Sequence, residues 1–217
     1  MTIRLSPLPT KEVLFVLFFS LLGISSLGYA IEFKTFQPNS PANQNDYFST
    51  DSISTKRVRT VERHHWDKAR QHKERGEIQY AFGDIDFILR YVPNHPHALM
   101  QMSEISMAAG KPDTVRPYLD YAIQYRPKNS STHIIYGIHL HRTKNYSEAV
   151  QHYKRALELD PKASETHYNL GLSYFELKEY TLAQKHAKIA YDRGYPLPGL
   201  KDKLRQLGHW PPQENSP

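Results

Sequence analysis

Residues 164–196 read SETHYNLGLSYFELKEYTLAQKHAKIAYDRGYP, and residues 132–161 before them read THIIYGIHLHRTKNYSEAVQHYKRALELDP. Laid over one another, the two stretches keep a beat of 34 residues: Ala149 falls on Ala183, Ala156 on Ala190 and Gly137 on Gly171. The beat runs backwards through the chain. Pro93, Pro127 and Pro161 keep it, Ala81 and Val115 precede Ala149 in one column, and Ala69 and Ser103 precede Gly137 in another. Within a beat, Tyr168, Leu170, Gly171 and Tyr174 lie on one helix and Leu182, Ala183, Ala187 and Ala190 on a second, both at helical spacing. These columns predict an all-α stack of antiparallel helical hairpins, with units at 62–95, 96–129, 130–163 and 164–197.

Each column has a physical reason. Gly171 and Ala183 are small because two helix axes that cross closely leave no room for a larger side chain. Gly76 and Gly110 suit a left-handed turn after a first helix, and Lys144 and Lys178 occupy that place in the later units. Asp113, Ser147 and Thr181 stand where they could cap the second helices. The prolines stop those helices, whereas Pro117 falls inside one and is expected to disturb its start. Beyond Tyr195, Leu200, Leu204 and Leu207 form one stripe in residues 198–208, which predicts a capping helix over the open end of the stack. The tail 209–217 is read as disordered.

The residues that carry these columns resemble tetratricopeptide repeats. The third unit matches through Tyr136, Gly137, Leu140, Tyr146, Ala149, Tyr153, Ala156 and Pro161, and the fourth through Tyr168, Leu170, Gly171, Tyr174 and Ala183. In the first unit Lys68 departs from the pattern, standing where a large apolar residue is usual. The resemblance implies a solenoid whose first helices line a concave groove that holds an extended peptide or a partner's helix. By register, the groove residues are then Trp66, Arg70 and Lys73 in unit one, Met100 and Gln101 in unit two, Ile134, Ile138 and Arg142 in unit three, and Tyr168, Asn169, Leu172 and Phe175 in unit four. Such a groove has a cationic end and an apolar end, so a partner segment with apolar anchors and acidic residues is expected. The carboxylate clamp of chaperone-tail binders in this family is absent, because Trp66, Arg70, Gln101, Ser131 and Ile135 stand in its places.

The rest of the chain sets the context. Arg4 and Lys11 precede an apolar run from Val13 to Leu22, and small residues follow up to Gly28 and Ala30. This is the pattern of an export signal cleaved after Ala30, which would place the repeats in the periplasm. A single-pass anchor over 1–30 is the alternative, because the run up to Ile31 barely reaches the length of a membrane span. Residues 31–55 are rich in polar residues and proline and read as a disordered linker. In the alternative, Phe33, Phe36, Tyr47 and Phe48 form a short docking motif for a partner or for the chain's own groove.

The formal charge of +6 is concentrated between Lys56 and Arg75, and an anionic polymer or membrane surface bound there is an alternative function. A structural assembly factor of an envelope complex, contacted on its convex side, is another. Nucleic acid is not expected as a partner of an exported chain. The absence of cysteine removes disulfides, thiolate metal sites and a cysteine nucleophile. The twelve histidines include His133 and His167, and His152 and His186, each 34 apart and able to stack across neighbouring units. With no converging carboxylate they do not read as a metal site. No catalytic motif or cofactor loop is present, so no enzymatic activity is expected.

Overall fold

A computed structural model describes residues 33–211 of the chain. The export or anchor segment expected over 1–30 lies outside these described residues. Among them, the 34-residue beat becomes four antiparallel helix pairs. They are α1 (Ser52–Glu74) with α2 (Ile78–Tyr91), α3 (Pro96–Ala108) with α4 (Arg116–Tyr125), α5 (Ser130–Arg142) with α6 (Tyr146–Leu159), and α7 (Ser164–Glu176) with α8 (Tyr180–Asp192). A ninth helix, α9 (Gly199–Gln206), packs on α7 and α8.

The small columns mark where the helices cross. Ala69, Ala81, Ala149 and Ala183 are fully buried. A Cβ added to Gly137 would stand 2.5 Å from the Tyr153 ring of its own pair, and one added to Gly171 would stand 2.7 Å from Leu200 and 3.2 Å from the Ala183 carbonyl oxygen. Glycine at 137 therefore makes room for a buried tyrosine. At 171 it admits both the partner helix and the cap. Leu200 and Leu204 of α9 are fully buried, but Leu207 is half-exposed, because the helix ends before it and Gly208 turns the chain away with a φ of +74°. The cap therefore seals the stack through two leucines.

The turns after α1, α3, α5 and α7 share one geometry. Gly76, Gly110, Lys144 and Lys178 adopt φ of +73°, +69°, +64° and +63°, and in each the next amide reaches back to a carbonyl of the preceding helix, as Asn145 does to Leu140 at 2.8 Å. A lysine can hold this conformation only against steric strain that glycine avoids.

The second helices start differently from the sequence expectation. Ser147 and Thr181 lie inside α6 and α8, whose preceding residues Asn145 and Glu179 make no side-chain cap. Asp113 does not cap either; it ion-pairs with Arg116 at 3.2 Å. Side-chain caps occur on first helices instead: the Asp51 carboxylate accepts from the amides of Ile53 and Ser54, and Asn129 accepts from Ser131. Pro117 sits in the opening turn of α4, where a missing amide costs little. The turn before it tightens into a 3-10 helix at Pro112–Val115, which leaves α4 shorter than the other second helices.

Residues 33–51 are not the free linker expected from composition. Phe33 stacks on Phe82 at 4.1 Å, and Phe36 packs against Tyr118 and Tyr121 at 4.2 and 5.7 Å. The Asn45 amide donates to the Tyr91 carbonyl, Asp46 pairs with Arg126 at 2.7 Å, and Tyr47 meets the His95 ring at 4.5 Å. Phe33 and Phe36 thus find partners on the second helices of units one and two and Tyr47 on His95 ahead of α3, and α1 begins at Ser52, within the expected linker. The segment is a strap across two repeats. Likewise His209 stacks on Tyr180 and Trp210 packs edge-on to Tyr191, so the expected disordered tail is ordered at its start.

Replacing Lys144 or Lys178 with glycine should raise stability by about 1 kcal/mol each, because the left-handed strain disappears at an exposed site. Urea unfolding of the two variants is the check, and an unchanged or lowered midpoint would contradict the strain assignment.

Candidate functional site

Curvature follows from which helices touch. α3 lies against α5 and, more lightly, α5 against α7. The stack is tighter on its first-helix side, so that side is the concave one. In the repeat register its columns are Trp66, Met100, Ile134 and Tyr168; Asp67, Gln101, Ile135 and Asn169; and Arg70, Glu104, Ile138 and Leu172.

The third column organises the face. Glu104 of α3 receives the Lys73 ammonium from α1 and faces the Arg142 guanidinium from α5 at 3.8 Å. Arg142 also approaches the Met100 sulfur at 3.8 Å. Three successive first helices are thereby tied by one carboxylate. Arg70 is exposed and pairs with Asp67 of its own helix at 3.5 Å. The cationic end expected from the sequence is thus largely met by the chain's own acids. The signal that would have found this is the column itself: an acid in unit two stands where unit one has Arg70 and units three and four have Ile138 and Leu172.

Past this cluster, Ile134, Ile138, Leu172 and Phe175 are each half-buried. Phe175 is bordered by Lys203 of α9, whose ammonium lies 5.1 Å from its ring and 3.1 Å from Glu176. The structure therefore brings Ile134, Ile138, Arg142, Asn169, Leu172 and Phe175 together with Met100 on one side of the stack. It does not bring all twelve expected residues there. Tyr168 is only 7% exposed and stacks on Tyr195 at 4.3 Å, beneath the chain that leads to α9. Gln101 is buried as well. Trp66 stacks on the buried His95 at 5.7 Å and so serves the joint between units one and two.

Histidines complete the interior, and they pair within units. His133 Nδ1 lies 3.2 Å from His152 Nδ1, and His167 Nδ1 lies 3.0 Å from His186 Nδ1. The 34-residue spacing thus reflects two copies of one intra-hairpin contact; it does not reflect stacking between units. Each contact works with neutral rings of opposite tautomer, one donating and one accepting, and a second proton would set two N–H groups against each other. Burial, reinforced by the neighbouring imidazole, holds His133 and His186 down at about 4, and burial also lowers His152 and His167. His95 is lowered by burial, against the Glu62 carboxylate that accepts from its Nε2 at 3.0 Å. Across units, His139 bonds Ser103 at 2.8 Å and His141 bonds Ser173 at 2.9 Å. Among the described residues no group of three or more His, Asp or Glu side chains is placed to hold a metal ion.

Residues 139–178, from α5 through α7, match the family model described as TPR repeat. This part of the chain carries tetratricopeptide repeats. No curated protein sequence matches it. Solved structures that share the fold of this repeat protein include Pseudomonas aeruginosa PilF, at 19% identity over 70% of this chain and 71% of that one with a TM-score of 0.55. The MamA protein aligns at 16% identity over 69% and 84% of the two chains, with a TM-score of 0.52. YrrB, described as a TPR protein with an unusual peptide-binding site, aligns at 16% identity over 70% and 78%, with a TM-score of 0.51. At these identities the likeness is one of fold.

The histidine pairs give the repeat protein an acid limit. A histidine whose folded pKa lies below its unfolded value of 6.5 stabilises the fold fully above that value, and the stability is lost as pH falls towards about 4. Urea midpoints measured from pH 7.5 to 5 should therefore fall, and should fall less in the double variant His167→Phe with His186→Leu, which carries no titrating pair in unit four. Parallel acid limbs in the two proteins would remove the pairs as the cause.

Proposed function

We propose that this chain is a non-catalytic interaction scaffold that holds a segment of a partner protein against its first-helix face. The observation that carries this is the apolar strip of Ile134, Ile138, Leu172 and Phe175, left half-open on the concave side between the Glu104 and Glu176 ion pairs. Apolar side chains aligned on successive helices and rimmed by charge offer an amphipathic segment a dry stripe with polar borders. The peptide-binding site described for YrrB, which shares the fold, is in keeping with that use. Since Lys73 and Arg142 are engaged with Glu104, the occupant is recognised by its apolar residues, and acidic groups at its end contribute less than the sequence alone implies.

We also propose that the scaffold works on the outer side of a membrane, delivered by the N-terminal segment. The basic Arg4 and Lys11 ahead of the apolar run from Val13, and the small residues at Gly28 and Ala30, support that reading. Among the described residues no helix is long and apolar enough to cross a membrane. An assembly role through the convex side is less favoured, because the strap from Phe33 to Tyr47 already covers second helices of units one and two.

The test is a photo-crosslinker carried at Ile138 or, as a reference, at the exposed Gln124 on α4, in chains purified from membrane fractions of the native host. Adducts should form from position 138 and be lost, by tenfold or more, when Leu172 is changed to Asp. Adducts from position 124 alone, or adducts at 138 unaffected by the Leu172→Asp change in a chain of unaltered helicity, would move the site off this face.

A further inference from the structure

The first helices α3, α5 and α7 have 13 residues each, but α1 has 23. The repeat register opens unit one at Glu62, so Ser52–Val61 is an added stretch of helix that no repeat requires. It is nevertheless well held. Asp51 caps it, the Thr55 hydroxyl donates to the Asp51 carbonyl at 2.9 Å, and Val58 is buried beneath it.

Its outer side is cationic and unmatched. Lys56, Arg57, Arg59 and Arg63 are all exposed, and among the described residues none has an ion-pair partner, whereas Arg70 and Lys73 further along the same helix pair with Asp67 and Glu104. The two nearby carboxylates are taken: Glu62 by His95, and Asp51 by the Ser49 hydroxyl and the helix amides. For folding alone this arrangement is unfavourable. Lys56 lies three residues from Arg59, and Arg59 four from Arg63, so like charges are neighbours on the helix surface, and the earliest of them oppose the positive end of the helix dipole. Cations held in a costly arrangement by an otherwise unnecessary helix point to an external anion.

The surroundings decide which anion. Two shallow clefts, of about 750 and 460 Å³, flank the stretch and share Ser52, Lys56 and Thr60, so hydroxyls and ammonium or guanidinium groups line both openings. Ile53 is 64% exposed and lies one helical turn before Lys56 and Arg57, on their side of the helix. A phosphate backbone in water gives that isoleucine nothing to bury against, while a bilayer interface does. We propose that Ser52–Arg63 docks on an anionic phospholipid surface, with Lys56, Arg57, Arg59 and Arg63 meeting headgroup phosphates and Ile53 entering the interface. This contact is separate from the concave strip, so a scaffold bound to a membrane through α1 keeps its first-helix face available.

The chain has no cysteine, so Thr60→Cys gives a single site for an environment-sensitive fluorophore inside the patch, and Thr181→Cys gives a remote reference. With the full chain, vesicles containing about 30% phosphatidylglycerol should shift the emission from position 60 but not from 181, and about 0.5 M salt should suppress the shift. Adding Lys56→Glu with Arg59→Glu should weaken the partitioning by at least about tenfold at unchanged helicity, and the milder K56Q/R59Q pair should weaken it less. An equal response on pure phosphatidylcholine, which the apolar N-terminal run alone would produce, overturns the proposal. So does an unchanged affinity in both charge variants, or tighter binding of duplex DNA than of the anionic vesicles.

Discussion

Close helix crossing is the constraint on which everything else in this molecule rests. A hairpin of two helices buries little by itself, and the stack is stable only if each pair nests in the next. Nesting at that distance is possible because Ala69, Ala81, Gly137, Ala149, Gly171 and Ala183 leave backbones and large side chains room to meet. Where the small residue is glycine, the vacated volume is filled by a specific partner, Tyr153 in unit three and Leu200 in the cap. The same tight approach on the first-helix side curves the stack, and the curvature creates the face on which the apolar strip lies.

Polar groups inside such a stack have to be answered locally. The histidine pairs do so within units three and four, Ser103 and Ser173 do so between units, and Glu104 joins three helices at the surface. The Glu104 cluster fixes neighbouring repeats in register more than it adds stability, since exposed or half-exposed ion pairs are individually weak. The strap adds a further link, tying the second helices of units one and two through rings and through Asp46. The weakest matches to the repeat pattern, units one and two, are thus the ones held by an outside segment. Two ends of the molecule are closed by different means: a leucine cap at α9 and an aromatic strap with an extended α1 at the start.

The separation of roles along α1 follows from position. Its C-terminal half sits beside α3, where Glu104 is within reach of Lys73, and its charge is absorbed into the fold. Its N-terminal half extends ahead of the repeat register, where, among the described residues, the nearby acids Asp51 and Glu62 are already engaged. One basic segment in the sequence is therefore two structures with different surroundings.

Periodicity settled a good deal without coordinates. A column that repeats every 34 residues can be satisfied only by equivalent surroundings in every unit, so the helix pairs, the left-handed turns at Gly76, Gly110, Lys144 and Lys178, and the cap through Leu200 and Leu204 were all legible. Cap positions were not, because a shift of two residues in a helix start moves Ser147 and Thr181 from capping to interior. Of the candidate face, the strip of Ile134, Ile138, Leu172 and Phe175 follows from the repeat register. The burial of Tyr168 and Gln101, the tie of Lys73 and Arg142 to Glu104, and the strap over Phe82 and Tyr118 do not. Those depend on contacts between residues far apart in sequence, where no period constrains the partner and only the packed chain decides which side chains meet.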